Sequence, residues 1–129
     1  MIKSEQQKNR TIKIIEDSKN KLESLDQYTK ESMLSFIGTL EYEIDEYEAL
    51  KRGEYTLPGN ISFRELLKSI AKVRISKGLS QQDLAKKLGV TKQQINRYEE
   101  HDYQNVSAAN IAEILEVLDL SISLLEKVA

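Results

Sequence analysis

The sequence predicts an all-α fold, and three observations carry that expectation. Only five glycines and one proline occur in 129 residues. Apolar residues recur at spacings of three and four, the period of a helix face. Ser or Thr stands three residues before an acid or amide at Ser62/Glu65, Ser80/Asp83 and Thr91/Gln94, the signature of a capped helix start. Hydrophobic residues make up 40 % and charged residues 31 %, enough for a core and too balanced for disorder. One domain, or one domain with an appended element, fits this length.

The elements follow in order along the chain. A helix is expected over residues 4–25, with Ile12, Ile15, Leu22 and Leu25 as a weak apolar stripe and residues 1–9 frayed. A second helix follows, in which Met33, Ile37, Leu40, Ile44 and Tyr47 alternate spacings of four and three. That pattern keeps one narrow apolar seam, suited to coiled-coil-like packing. Neither helix buries its seam alone, so each needs the other, a second copy of the chain, or a foreign partner. Residues 53–60, GEYTLPGN, hold the only proline beside a glycine and mark a turn or linker. The chain therefore divides into a helical hairpin over residues 1–57 and a second domain over 61–129.

In the second domain a first helix starts at Ser62, turns Phe63, Leu66, Leu67, Ile70 and Val73 inward, and stops at Gly78. A second starts at Ser80, with Leu84, Ala85 and Leu88 inward, and ends at Gly89. A third starts at Thr91, with Ile95 and Tyr98 inward, and Val90 is expected to share that core. Ser107 caps a fourth, whose inner face is Ile111, Ile114, Leu115 and Leu118. The tail LSISLL, residues 120–125, is open between a short strand and a last helical turn.

Composition excludes several functions. The absence of cysteine removes disulfides, zinc ribbons, iron–sulfur clusters and thiol nucleophiles. The one histidine, His101, lies between Glu100 and Asp102 and reads as an exposed loop residue rather than a metal ligand. No phosphate loop, no Gly-x-Ser-x-Gly and no metal-ligand spacing occurs, so neither catalysis nor a cofactor is expected. No apolar run approaches the roughly 18 residues of a membrane span, and the start MIKSEQQKNR is too polar for a signal peptide. A soluble cytoplasmic protein is expected, with no membrane partner.

Charge is segregated. The net charge is −2, yet residues 64–97 carry nine Lys and Arg against two acids, residues 98–129 carry one against seven, and residues 1–60 carry nine against twelve. One basic stretch between acidic ones suits a protein of which a single face meets phosphate, although a solvated lysine-rich helix face gives the same count.

Helices Gln81–Leu88 and Lys92–Glu100 are joined only by Gly89, Val90 and Thr91, a turn so short that they must cross steeply. The second offers Lys92, Gln93, Gln94, Asn96 and Arg97, long polar side chains opposite Ile95 and Tyr98. A major groove admits one such helix, where Gln pairs with adenine and Arg or Lys with guanine. Gln94 and Asn96 stay open between base contact and solvated surface.

The segment KGLSQQDLAKKLGVTKQQINRYEE resembles the helix-turn-helix of Cro and the phage repressors, the Xre family. Ala85 lies four residues after Gln81, Gly89 four later and Ile95 six beyond, where that pattern places them. The resemblance covers about residues 63–118 and implies a lambda-repressor-like domain of five helices, four of them evident. It implies a sequence-specific DNA-binding transcriptional regulator, a repressor, acting as a homodimer on pseudopalindromic double-stranded DNA. It puts Gln81 on a phosphate and Lys92, Gln93 and Arg97 on base edges. It also implies an ion pair between Arg74 and Glu99, with Arg74 on phosphate as the alternative. The loop after the recognition helix, residues 99–105, is longer and more acidic than in many relatives, leaving Tyr103, Gln104 or Asn105 to touch the DNA backbone. The acidic EIDEYEALKRGE followed by a linker resembles antitoxins of the host-inhibition-of-growth kind, which implies an alternative function: neutralising a small basic protein toxin through the N-terminal helices while repressing their own operon. A purely scaffolding role for the helices is the third reading.

Overall fold

The computed structural model describes residues 1–127; the last two positions of the expected second domain lie outside that range. The described residues form six α-helices, one 3₁₀ turn and no strand. They divide into two compact units, Met1–Thr56 and Leu57–Ala129.

The first unit is a helical hairpin: α1 (Glu5–Lys21), a 3₁₀ turn (Leu22–Ser24) and α2 (Gln27–Lys51). Ser4 accepts from the Gln7 N–H at 3.2 Å and Asp26 from the Thr29 N–H at 2.8 Å, so each helix starts on a side-chain cap. The seam closes within the chain. Ile15 of α1 and Ile37, Tyr47 and Leu50 of α2 are buried, with Met33, Leu40 and Ile44 half-buried. Glu5 pairs with Lys51, Lys8 with Glu48 at 2.5 Å and Lys19 with Glu41 at 3.2 Å, the register of two antiparallel helices. The fraying expected over residues 1–9 does not occur. Ile2 is buried, and the Lys3 N–H donates to Gln7 Oε1 at 2.7 Å, which ties the entering segment to the first turn.

The second unit holds α3 (Phe63–Ser76), α4 (Gln81–Leu88), α5 (Lys92–Glu100) and α6 (Ala108–Val117). Ser62, Ser80, Thr91 and Ser107 each accept a backbone N–H of the first turn, at 3.0–3.2 Å. At Ser80 the reciprocal bond from its own N–H to Asp83 Oδ2 (2.9 Å) completes the box. Gly78 takes φ +77°, and Leu79 N–H reaches the Arg74 carbonyl at 3.1 Å, which ends α3 in a Schellman motif. Ile70, Leu84, Ala85, Ile95, Ile114 and Leu118 form the centre of the core.

Four inward expectations are corrected. Phe63 is 55 % exposed: as the first residue of α3 it projects past the core and borders an open groove with Ile122, Leu124 and Leu125. Val90 is 37 % exposed, because the left-handed Gly89 swings the next side chain outward while its N–H bonds the Ala85 carbonyl. Tyr98 and Leu88 are only half-buried. The tail settles as neither alternative. Asp119 adopts φ +58° and Leu120 N–H closes on the Leu115 carbonyl at 2.8 Å, ending α6, and residues 121–127 have no regular structure.

Candidate nucleic-acid interface

α4 and α5 make the motif. Gly89, at φ +71°, supplies the left-handed residue that ends α4; a Cβ there would meet nothing within 4 Å, so the demand is conformational rather than steric. Ala85, fully buried, lets α5 approach closely.

Helix periodicity then sorts α5 into two faces. Ile95 and Glu99 point inward and are buried, and Tyr98 tilts against the Tyr103 ring with centroids 5.9 Å apart. Gln93, Arg97 and Glu100 are exposed together on the opposite side, with Asn96 half-buried beside them, and Lys92 is exposed at the helix's first turn. Gln94 stands on the flank, half-buried, its N–H held by the Thr91 hydroxyl at 3.1 Å. Arg64, Lys68, Lys86 and Lys87 add exposed positive charge on α3 and α4.

Gln81 is placed differently from an outward phosphate ligand. Its side chain is buried, and Nε2 donates to Glu99 Oε1 at 2.9 Å and to Asn96 Oδ1 at 3.4 Å. It belongs to a polar cluster inside the unit. Arg74 donates from Nε to Glu99 Oε2 and from Nη2 to Glu99 Oε1, both at 2.8 Å, and from Nη1 to the Leu79 carbonyl at 2.8 Å. The Tyr103 hydroxyl donates to Glu99 Oε2 at 2.8 Å. Glu99 thus accepts from α3, from α4 and from the loop behind α5, which fixes the angle of α5 to the rest of the unit. Burial first, then the Glu99 charge and hydrogen bond, push the Tyr103 phenol far above its usual range, so it remains a donor.

Tyr103 corrects the expectation that it touches DNA from an exposed loop. Asp102 and Tyr103 both take positive φ, 50° and 58°, and this double left-handed turn folds the ring back into the core. Such a backbone costs of order 1 kcal/mol per residue, offset here by the buried ring and its charge-assisted bond. The signal in the sequence was an aromatic hydroxyl four residues after Glu99, legible only once the chain is known to reverse there. His101 is exposed, and Gln104 and Asn105 remain on the surface.

Among the described residues no group of three or more His, Cys, Asp or Glu is placed to hold a metal ion, and no helix is long and apolar enough to cross a membrane. What remains is a short-turn helix pair presenting long donors on one side. Residues 70–125 match the helix-turn-helix family model, so the second unit carries a helix-turn-helix domain of the Cro and phage-repressor type, the DNA-binding domain of transcription regulators. No curated protein and no solved structure gives a significant match to the chain.

Proposed function

We propose that this protein is a repressor that binds a pseudopalindromic operator as a homodimer, each protomer laying α5 in one major groove. The observation that supports this most is the division of α5. One face is sealed by Ile95 and Glu99, the other offers Gln93 and Arg97 to solvent, and Lys92 stands exposed at the first turn. Lys92 and Arg97 suit guanine, Gln93 suits adenine, and a good bidentate pair is worth about 1–3 kcal/mol of discrimination. With the Gln81 side chain committed inward, its contact to phosphate runs through the backbone N–H groups at the start of α4. Two-fold symmetry then doubles a modest half-site affinity.

Selection from a random duplex pool tests this. An inverted repeat bound by two protomers is expected, and Arg97→Ala or Lys92→Ala should relax preference at one position each. A selected pool with no inverted repeat, or with preferences unchanged in both variants, overturns the reading.

A second task is supported by the first unit. Tyr28 and Tyr42 of α2 are 82 % and 68 % exposed and Leu34 is 49 % exposed, on a helix rich in acids. Such a face suits a basic protein, the antitoxin alternative. Co-purification with the product of an adjacent small basic reading frame, abolished by Tyr42→Ala with Leu34→Ala, is the test.

A further inference from the structure

Glu100 sits where electrostatics oppose it. As the last residue of α5 it lies at the negative end of the helix dipole, where an acid is unfavourable. It is exposed on the side that carries Gln93 and Arg97, the side that enters the polyanionic DNA groove in the reading above. An acid on a phosphate-facing surface weakens binding unless a donor on the nucleic acid satisfies it.

Its side chain is nonetheless held. Asn96 Nδ2 donates to Glu100 Oε1 at 3.1 Å, and Asn96 Oδ1 accepts from Gln81 Nε2, which is itself bound to the buried Glu99. A chain of amides thus runs from the buried Arg74–Glu99 pair to the exposed carboxylate. Lys92, Asn96 and Glu100 follow one another at i, i+4 and i+8, spanning about 12 Å along the helix, about the width of a major groove.

We propose that Glu100 is a specificity-determining residue that accepts a hydrogen bond from a base amino group in the major groove, with Asn96 as its positioning residue. Cytosine is the base it fits. Its N4 amino group is a lone donor on that edge, whereas adenine sets the N7 acceptor beside its amino group, against a carboxylate. The inference rests on the DNA-binding reading of α5.

Selection from a random duplex pool, run in parallel with the wild type, Glu100→Gln and Glu100→Ala, decides it. The wild type is expected to retain cytosine at one position of each half-site by about ten-fold, within the usual range for a good base contact. Glu100→Gln should move that position to adenine, which a glutamine amide matches on both N6 and N7. Glu100→Ala should leave it unselected while the positions read by Lys92 and Arg97 persist. Because Glu100 is exposed, far-UV circular dichroism of all three should coincide, and neither variant should melt more than a few degrees from the wild type. One motif shared by all three proteins, or uniformly tighter binding of both variants to every sequence, overturns the proposal and leaves Glu100 a repelling acid. Failure of the wild type to bind any duplex overturns the DNA-binding reading itself, and this inference with it.

Discussion

A carboxylate with 1 % of its surface exposed has lost nearly all its hydration, and only its partners make that tolerable. Glu99 has them on both oxygens: the fork of Arg74, the amide of Gln81 and the hydroxyl of Tyr103. Against a well-packed apolar trio such a cluster gains little net stability, but removing one charge strands the other. Glu99→Gln leaves the buried Arg74 guanidinium without its counter-charge, and at this burial the expected loss is about 3–5 kcal/mol. For a unit of this size that lowers the melting temperature by roughly 10 °C or more. Tyr103→Phe removes one donor and keeps the ion pair, so its loss should be smaller, about 1.5–3 kcal/mol, as for a hydrogen bond to a charged group. Thermal denaturation followed at 222 nm checks both. Equal melting temperatures for Glu99→Gln and the wild type would show that the cluster does not hold α5.

At the scale of the element, α4 is the most dependent on its ends. Eight residues are too few for a helix to persist without tertiary support and caps. Ser80→Ala removes the hydroxyl that holds the Asp83 N–H, at an expected cost of about 0.5–2 kcal/mol. The other half of the box responds to pH. The Ser80 N–H and hydroxyl hold the Asp83 carboxyl below its usual range. A depressed folded value means its contribution is fully present above about pH 4 and disappears as the pH falls through the folded value. Denaturant midpoints of the wild type and Asp83→Asn should therefore converge on acidification; a gap that is constant from pH 7 to pH 3 contradicts this. These same caps explain what could be read in advance. Ser62, Ser80, Thr91 and Ser107 announce helix starts, and Gly78 and Gly89 the stops, because each answers a local demand of the backbone. Phe63, Val90 and Tyr103 escaped that reading for two reasons. Periodicity assigns a face but not how far the core extends along it, and a positive φ at Asp102 and Tyr103, where no glycine stands, leaves no mark in a sequence. The inward Gln81 escaped too, since its partners Asn96 and Glu99 lie 15 and 18 positions away.

For the whole molecule the controlling quantity is where its charge lies rather than how much it carries. A chain of net charge −2 is repelled by a polyanion at long range. Residues 64–97, with nine bases against two acids, attract it at short range. Arg74 is removed from that attraction by Glu99, and Lys77 turns its amine to the Leu118 carbonyl. Lys72 is half-buried, and the exposed charge left for DNA is that of Arg64, Lys68, Lys86, Lys87, Lys92 and Arg97. Contacts to roughly 4–6 phosphates per protomer give a slope of log affinity against log salt near −4 to −5 per protomer, since each neutralised phosphate contributes about −0.9. Fluorescence anisotropy on the selected operator between 50 and 300 mM salt measures it. Substituting Lys86 and Lys87 by alanine should flatten the slope by about 1 for each lysine that touches phosphate, and should weaken all sequences alike. Arg74→Lys separates the two kinds of basic residue. It keeps the charge but loses the fork, so it should lower the melting temperature while leaving the number of released ions unchanged. A salt slope that falls in Arg74→Lys and stays constant without Lys86 and Lys87 would reverse the assignment of which charges face the DNA.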